Sequence, residues 1–375
     1  MPIDPFFESS PQEHSLIKTE LVAKYFDAWS KIMLNRNKAN TIGFVDLFSG
    51  AGSFRVGDEE VESTPLQISR KVISDSQLQK HVRLFFNDKK PDHIDALRKR
   101  IEDLEHIDQL RYAPAFSNTE VGQNLYGALS SFASFPTIYF IDPYGYKGMS
   151  TDLVRRLISG WGSECVFFFN YDAINRAINN DVVSPLMQEI FGAVRAEKLP
   201  GMVAGASSKE RERIVLQGFR DTLKENGSSF TIAFRFLRPG MKRTSHYIVF
   251  ASKAFRGYDV MRDIMARTGH YQNAMPMFEW APGARQAELN LDQPKQRAMD
   301  AMEQILISHA AGTNDRVDKV YERFSVDTPF IKKAFKDVLR AMEEKGLISI
   351  DPPADARKKG TLADHCVVNF PKQGG

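Results

Sequence analysis

The chain has 375 residues, enough for one large domain and a small one. It is 42% hydrophobic, 26% charged and 11% aromatic, which excludes a disordered or fibrous chain and indicates a real core. With 50 basic against 47 acidic residues, the formal net charge of +3 does not by itself point to a nucleic-acid partner; local placement of charge has to decide. Two cysteines, Cys165 and Cys366, exclude a disulfide scaffold or a Cys-rich zinc or iron–sulfur site and suit a reducing compartment. No apolar run reaches membrane-spanning length and the first residues lack a leader pattern, so a soluble cytoplasmic protein with no membrane partner is expected.

Residues 1–14 are polar and proline-bearing and read as an extended arm. Leu16, Leu21, Val22, Tyr25, Phe26, Trp29 and Met33 then recur at helical spacing, predicting a helix that covers a sheet face or caps a pocket. Phe44, Val45 and Leu47 form a short strand with Asp46 near its carboxyl end, followed by the tight turn Ser49-Gly-Ala-Gly52. Residues 53–65 are acidic and loop-like. A helix at Pro65–Ile73, a strand at Val82–Phe86 ending in Asn87-Asp88, and a charged helix from His93 to Leu104 follow. A third strand near Ala115-Phe116 runs into Ser117-Asn-Thr-Glu120, and Gln123–Phe132 is the next helix.

Thr137–Ile141 is a fourth strand ending in Asp142-Pro-Tyr-Gly145, Ser150–Ser159 a helix, and Cys165–Phe169 a fifth strand with no polar residue in its middle. Continuous apolar runs of this kind mark central strands covered on both faces. A mostly helical stretch, 171–227, separates them from Phe230–Leu237 and His246–Ala251, an antiparallel pair that closes the sheet. Alternation alone specifies a parallel α/β sheet. The terminal hairpin narrows it to a class I methyltransferase-like, Rossmann-like layout.

Residues 281–295 read as a linker. Helices at about 296–310, 315–324 and 328–345 and a hairpin from Leu347–Ile350 and His365–Phe370 then predict a winged helix-turn-helix. The expected organisation is an arm and covering helix over 1–40, a methyltransferase-like domain over 41–280, the linker, and the winged helix over 296–375.

Chemistry concentrates at strand ends, where open α/β sheets bind ligands. Asp46 with Ser49, Gly50 and Gly52 outlines a nucleotide-type pocket: the acid accepts hydrogen bonds while glycine backbone lies close to the ligand. Phe48 is a candidate wall of that pocket, or packing. Asp88, with Asn87 as fallback, is placed to bond ribose hydroxyls, and Glu120 with Asn118 to meet a base edge. Asp142 and the Pro143 carbonyl can accept from an amine while Tyr144 stacks on its planar base, so that the nitrogen lone pair is aimed at an electrophilic methyl group. The eight histidines show no close metal-ligand spacing and no Ser/His/Asp set stands out, so no metal site is expected. In the third helix of the carboxyl-terminal region, Lys332, Lys333, Lys336 and Arg340 line up, and Arg357, Lys358 and Lys359 occupy the wing tip, an arrangement suited to DNA, RNA or a protein partner.

Asp46-Leu-Phe-Ser-Gly-Ala-Gly52 is similar to the cofactor motif of cytosine-5 DNA methyltransferases, yet the Pro-Cys that family uses as nucleophile is replaced by Asp142-Pro-Tyr-Gly145. The latter resembles the Asp-Pro-Pro-Tyr motif of methyltransferases acting on exocyclic amines, without its second proline. Together with His14-Ser-Leu-Ile-Lys18, Tyr247-Ile-Val-Phe-Ala-Ser-Lys253 and Gly257-Tyr-Asp-Val-Met261, the chain resembles the three-Cys-motif partner protein family over most of residues 10–275. The resemblance implies S-adenosylmethionine as cofactor and a partner carrying three closely spaced cysteines. Two functions stay open: a methyltransferase acting on a nucleic-acid base or nucleotide amine, and a non-catalytic scaffold that docks a partner enzyme or nucleic acid.

Overall fold

The computed structural model describes residues 10–35, 39–56, 58–145, 147–238, 243–269, 271–272, 275–281 and 292–372. The chain divides into two units, Met1–Thr268 with Glu279–Gly283, and Gly269–Phe278 with Ala284–Gly375.

The first unit begins with α1 (Ser10–Leu34), so the expected arm is helical from Ser10 onward; residues 1–9 lie outside the described residues. Its buried stripe, Leu21, Val22, Tyr25, Phe26 and Trp29, is the one the periodicity marks. β1 (Ile42–Asp46) is wholly buried and leads to the glycine turn. The acidic stretch after it is not a loop. β2 (Ser53–Val56) and β3 (Glu59–Glu62) pair antiparallel, from Ser53 opposite Glu62 to Val56 opposite Glu59. The acids that disguised this hairpin are engaged in ion pairs: Glu62 meets Arg70 at 2.8 Å and Glu60 meets Arg100 at 2.6 Å, on the two helices that flank the hairpin in space.

Those helices are α2 (Thr64–Ile73) and, after the short α3 (Ser76–His81) and β4 (Val82–Asn87), α4 (Pro91–Glu102). β5 (Ala115–Ser117), α5 (Gln123–Leu129), β6 (Thr137–Ile141), α6 (Thr151–Ser159) and β7 (Glu164–Phe169) continue the alternation. Four helices follow: α7 (Tyr171–Ala177), α8 (Ser184–Phe191), α9 (Ala193–Val203) and α10 (Ser208–Glu225). β8 (Phe230–Leu237), β9 (Thr244–Ser252) and α11 (Phe255–Thr268) complete the expected layout. Beyond a small hairpin of β10 (Tyr271–Gln272) and β11 (Met275–Pro276), β12 (Glu279–Trp280) adds a further strand parallel to β8 that the sequence did not signal, because two residues carry no periodicity.

The main sheet runs β12-β8-β9-β7-β6-β1-β4-β5. β5, β4, β1, β6 and β7 are mutually parallel, and β9 enters antiparallel between β7 and β8. In chain order of the seven principal strands this is 3-2-1-4-5-7-6. Strand order reverses at β1, between β4 and β6, which is the topological switch point where ligands of open α/β sheets bind. Register puts Asp46 opposite Phe86 on one side and Phe140 on the other, so Asp46, Asp88 and Asp142 emerge at one sheet edge.

The second unit contains α12 (Asp292–His309), β13 (Asn314–Arg316), α13 (Val317–Phe324), α14 (Lys332–Glu344), β14 (Ser349–Asp351) and β15 (Val367–Asn369). The expected hairpin is in fact a three-stranded antiparallel sheet, β13-β15-β14. Leu306, Val320, Tyr321, Phe335, Leu339 and Val368 form its core.

Candidate functional site

The glycine turn is held by its neighbours on both sides. Leu47 N–H donates to the Phe140 carbonyl (3.1 Å) and Ser49 N–H to the Asn87 carbonyl (2.8 Å), so the turn is stitched to β6 and β4. Ser49 Oγ accepts from Asn87 N–H (3.1 Å) and donates to the Asp46 carbonyl (3.1 Å). Gly50 and Gly52 take φ of 63° and 93°, left-handed values that favour glycine. A Cβ on Gly52 would also meet Leu97 at 3.0 Å. Beside Gly50 a Cβ would meet nothing within 4 Å, so this part of the turn faces open space.

Asp88 receives the Gly50 N–H on Oδ2 (3.0 Å) and the Lys90 N–H on Oδ1 (2.9 Å). Asn87, by contrast, is fully buried. Its amide donates to the Leu47 and Thr119 carbonyls (3.1 and 2.9 Å) and its Oδ1 accepts from Thr119 N–H (3.2 Å), which makes it a clasp between β1 and the segment after β5. Asn118 fastens the same segment to the Asp88 carbonyl (2.8 Å), and Glu120 is exposed beyond it.

Asp46 is 1% exposed, with Oδ1 accepting from Phe48 N–H (3.0 Å). Burial pushes its carboxyl up to about 8; the Phe48 N–H and Lys18 oppose the shift, and the Asp142 and Asp88 carboxylates add to it. Asp142 is held by Lys18, whose Nζ forms an ion pair with Asp142 Oδ2 and lies 4.5 Å from the centre of the Phe168 ring. Pro143 is buried, whereas Tyr144 is fully exposed. Phe48 is half-buried, and a Cβ on Gly148 (φ 87°) would collide with its ring at 2.8 Å, so the loop after β6 rests on Phe48.

A cleft with about 370 Å³ of empty space opens over these strand ends. Asp46, Phe48, Ser49, Phe140 and Asp142 form its floor, α1 contributes Ser15, Lys18 and Thr19, and Phe54, Ser63, Thr64 and Pro65 close the side at β2 and the start of α2. The structure thus brings Asp46, Phe48, Ser49 and Asp142 into one cleft, with Asp88 adjoining through Gly50. The sequence offered Ser15 and Lys18 only as letters of His14-Ser-Leu-Ile-Lys18 and did not mark them or Thr19 as site residues, although the three recur at i, i+3 and i+4. That polar row was the available signal. His14, one residue before it, donates from Nε2 to the Leu237 carbonyl (3.1 Å) and sits edge-on to Trp280, anchoring the helix over β8; burial holds its imidazole down at about 4.

The basic residues of the second unit are mostly engaged. Lys332 and Lys336 both pair with Asp364 (3.1 and 2.6 Å), and Arg340 pairs with Asp337 and donates to the Gly360 carbonyl (2.9 Å). Arg357 does not project from a wing tip: its side chain is 7% exposed and pairs with Glu343. Lys333, Lys358 and Lys359 are exposed and have no ion-pair partner among the described residues.

No family model matches the chain. No curated protein matches it either. Solved structures similar to it include protein LPL1258 of Legionella pneumophila, of family DUF519 (12% identity, 64% of this chain and 84% of that one, TM-score 0.40). The methyltransferase domain of a bacterial CtHen1 (11% identity, 62% and 100%, TM-score 0.31) and the CMeT domain of citrinin polyketide synthase (10%, 66% and 58%, TM-score 0.35) are also similar. Likenesses this distant carry no weight on activity. The strand order does the classifying: a mostly parallel α/β sheet of class I methyltransferase type. Among the described residues, no helix is long and apolar enough to cross a membrane.

Proposed function

We propose that this chain binds S-adenosylmethionine across the switch point and acts as a methyltransferase on an amine of a nucleic-acid base or nucleotide, together with a three-Cys-motif partner. One observation carries the reading: the 3.0 Å bond from Gly50 N–H to Asp88 Oδ2, which sets open glycine backbone beside an acid at the ends of β1 and β4. Each carboxylate oxygen of Asp88 retains a lone pair for a ribose hydroxyl. Phe48 and Ser49 line the cleft next to the turn, and the exposed Glu120 after β5 is assigned to the base edge. The cofactor, when bound, supplies an electrophilic methyl group. Asp142 and the Pro143 carbonyl hold and orient the acceptor amine, and Tyr144 is available to stack on its ring.

The second unit is a winged helix-turn-helix in this reading, with α14 as the recognition helix and Lys333, Lys358 and Lys359 left to meet phosphates or an acidic partner. A non-catalytic scaffold is the second reading. It is favoured by the Lys18 ammonium already on Asp142 and by the full exposure of Tyr144.

Calorimetry with S-adenosylmethionine and S-adenosylhomocysteine tests the site. Wild-type protein is expected to bind both, and Asp88→Ala to bind neither tightly; a silent wild type ends the cofactor reading. Asp142→Ala is expected to keep cofactor affinity and lose methyl transfer, while turnover by the wild type eliminates the scaffold. A nucleic-acid role for α14 and the wing predicts that changing Lys333, Lys358 and Lys359 together to Ala flattens the salt dependence of binding; an unchanged slope removes that role.

A further inference from the structure

We propose that Arg238 and Arg243, set on Asp172 beside the cleft, read a phosphate of the methyl acceptor, so that the acceptor is a nucleotide unit carrying its phosphate and not a free base or nucleoside. The inference rests on the acceptor reading of Asp142 and concerns the part of that acceptor remote from its amine.

Three observations carry it. The first is position. β7 runs parallel to β6, and β9 antiparallel to both β7 and β8, so the end of β7, the end of β8 and the start of β9 lie at the sheet edge where Asp142 emerges. Arg238 follows β8 and Arg243 precedes β9, and Arg238 N–H donates to the Arg243 carbonyl (2.8 Å), which sets the two side by side. A line of contacts joins them to the cleft. Lys18, paired with Asp142, lies over the Phe168 ring, and Phe168 stacks on His246 at 4.7 Å. Burial first, then His14, Lys18 and Arg238, holds the His246 imidazole down at about 3.

The second is charge. Asp172, just after β7, has a side chain only 6% exposed and pairs with both Arg238 and Arg243. One buried carboxylate thus serves two guanidiniums, and the group keeps a positive charge fixed in place before any ligand arrives. Glu212, which with Asp172 faces Tyr171, does not cancel it. Its carboxylate accepts from the Thr244 and Tyr247 hydroxyls and pairs with Arg235 at 3.1 Å.

The third is availability. Arg238 donates from Nε and Nη2 to Asp172 Oδ2 and is the fixed member of the pair. Arg243 stands 3.5 Å from Oδ1, yet that oxygen has no hydrogen-bond partner among the described residues, so the Arg243 N–H groups are not committed to it. The Arg243 side chain is 57% exposed. A guanidinium presents its donors in a planar fork that matches two phosphate oxygens. When Arg243 turns onto a phosphate, Oδ1 is left to accept from a sugar hydroxyl of the same unit.

The experiment is calorimetry on the full chain in the presence of S-adenosylhomocysteine. The probes are adenosine, cytidine and guanosine, their 5′-monophosphates, and a mixed-sequence single-stranded hexanucleotide with its neutral methylphosphonate counterpart. Wild-type protein is expected to bind phosphate-bearing probes at least about tenfold more tightly than their uncharged counterparts, the scale of one charge-assisted hydrogen bond. Arg243→Gln is expected to lose about tenfold for the charged probes and to lower the salt slope by about one, with nucleosides and S-adenosylhomocysteine bound as before. Arg243→Lys should keep the salt slope. A hexanucleotide bound more tightly than the monophosphates, and weakened by Arg243→Gln, assigns the phosphate to a strand; the reverse order assigns it to a free nucleotide. Equal wild-type affinity for charged and uncharged probes overturns the inference while leaving a nucleoside acceptor standing. A preference for charged probes that Arg243→Gln leaves whole places the phosphate elsewhere and overturns it too. A wild type that binds S-adenosylhomocysteine and none of the acceptor probes overturns the acceptor reading and the inference with it.

Discussion

The Tyr25 hydroxyl of α1 donates to the Glu164 carboxylate at the start of β7, deep in the core, and Ser252 Oγ of β9 donates to the other oxygen at 2.8 Å. Three elements distant in sequence meet on one buried acid. Burial pushes Glu164 up to about 7 from its ordinary 4.5, against the two hydrogen bonds that pull it down. The folded chain therefore keeps a proton that the unfolded chain releases near the ordinary value. The resulting stability is complete below about pH 4.5 and lost as pH rises toward 7. Glu164→Gln is expected to remove a fall on the order of 2 kcal/mol across that window. Urea unfolding at several pH values checks it; a slope unchanged in Glu164→Gln rejects it.

Gly257 owes its identity to the same acid. A Cβ there would stand 2.0 Å from Glu164 Oε1 and 3.0 Å from Ser252 Oγ. Gly257→Ala is expected to cost roughly 2 kcal/mol or more, the scale of an overpacked core. Adding Glu164→Ala should make the double variant less damaging than the sum of the singles. Strictly additive losses in thermal unfolding would count against the contact.

Asp46 adds a second titration with the same sign. Its carboxyl stands at about 8 in the fold against an ordinary 3.8, so folding is favoured while the proton stays on and weakens as pH rises from 3.8 to 8. The charges facing it are Asp142 and Lys18 in the cleft and Asp88 beyond the turn. Asp46→Asn keeps an acceptor for Phe48 N–H and is expected to raise stability at pH 8 by several kcal/mol, more than Glu164→Gln does, with no gain below pH 4. Denaturation at those two pH values decides it.

Glu343 and Arg357 hold the second unit. Glu343→Ala leaves a guanidinium with a 7% exposed side chain without its carboxylate, an expected loss of about 3 kcal/mol. Arg357→Met, which removes the charge as well, should cost less. Hydrogen exchange of amides in α14 and β15 localises the effect; equal losses from both variants would contradict it.

The alternation of strands and helices, the buried runs of β1 and β6, the glycine turn and the acids at the strand ends were legible in the sequence by itself. Each follows from local physics: apolar period, left-handed φ at glycine, and a polar residue where a strand leaves the core. The β2–β3 hairpin was not legible, because Glu59, Glu60 and Glu62 imitate a solvated loop until Arg70 and Arg100 come alongside. Arg357 looked like a surface charge for the same reason: its partner, Glu343, is known only once the unit folds.

Gly257 stood in the sequence as a motif letter without a cause, and Lys18 as one polar position on a covering helix. Only the tertiary structure set Gly257 against Glu164, and Lys18 against Asp142 and Phe168. Sequence determines which residues can face a cleft. Which charges meet across it depends on packing between elements more than 100 residues apart, as Lys18 and Asp142 are, and no local pattern encodes that distance.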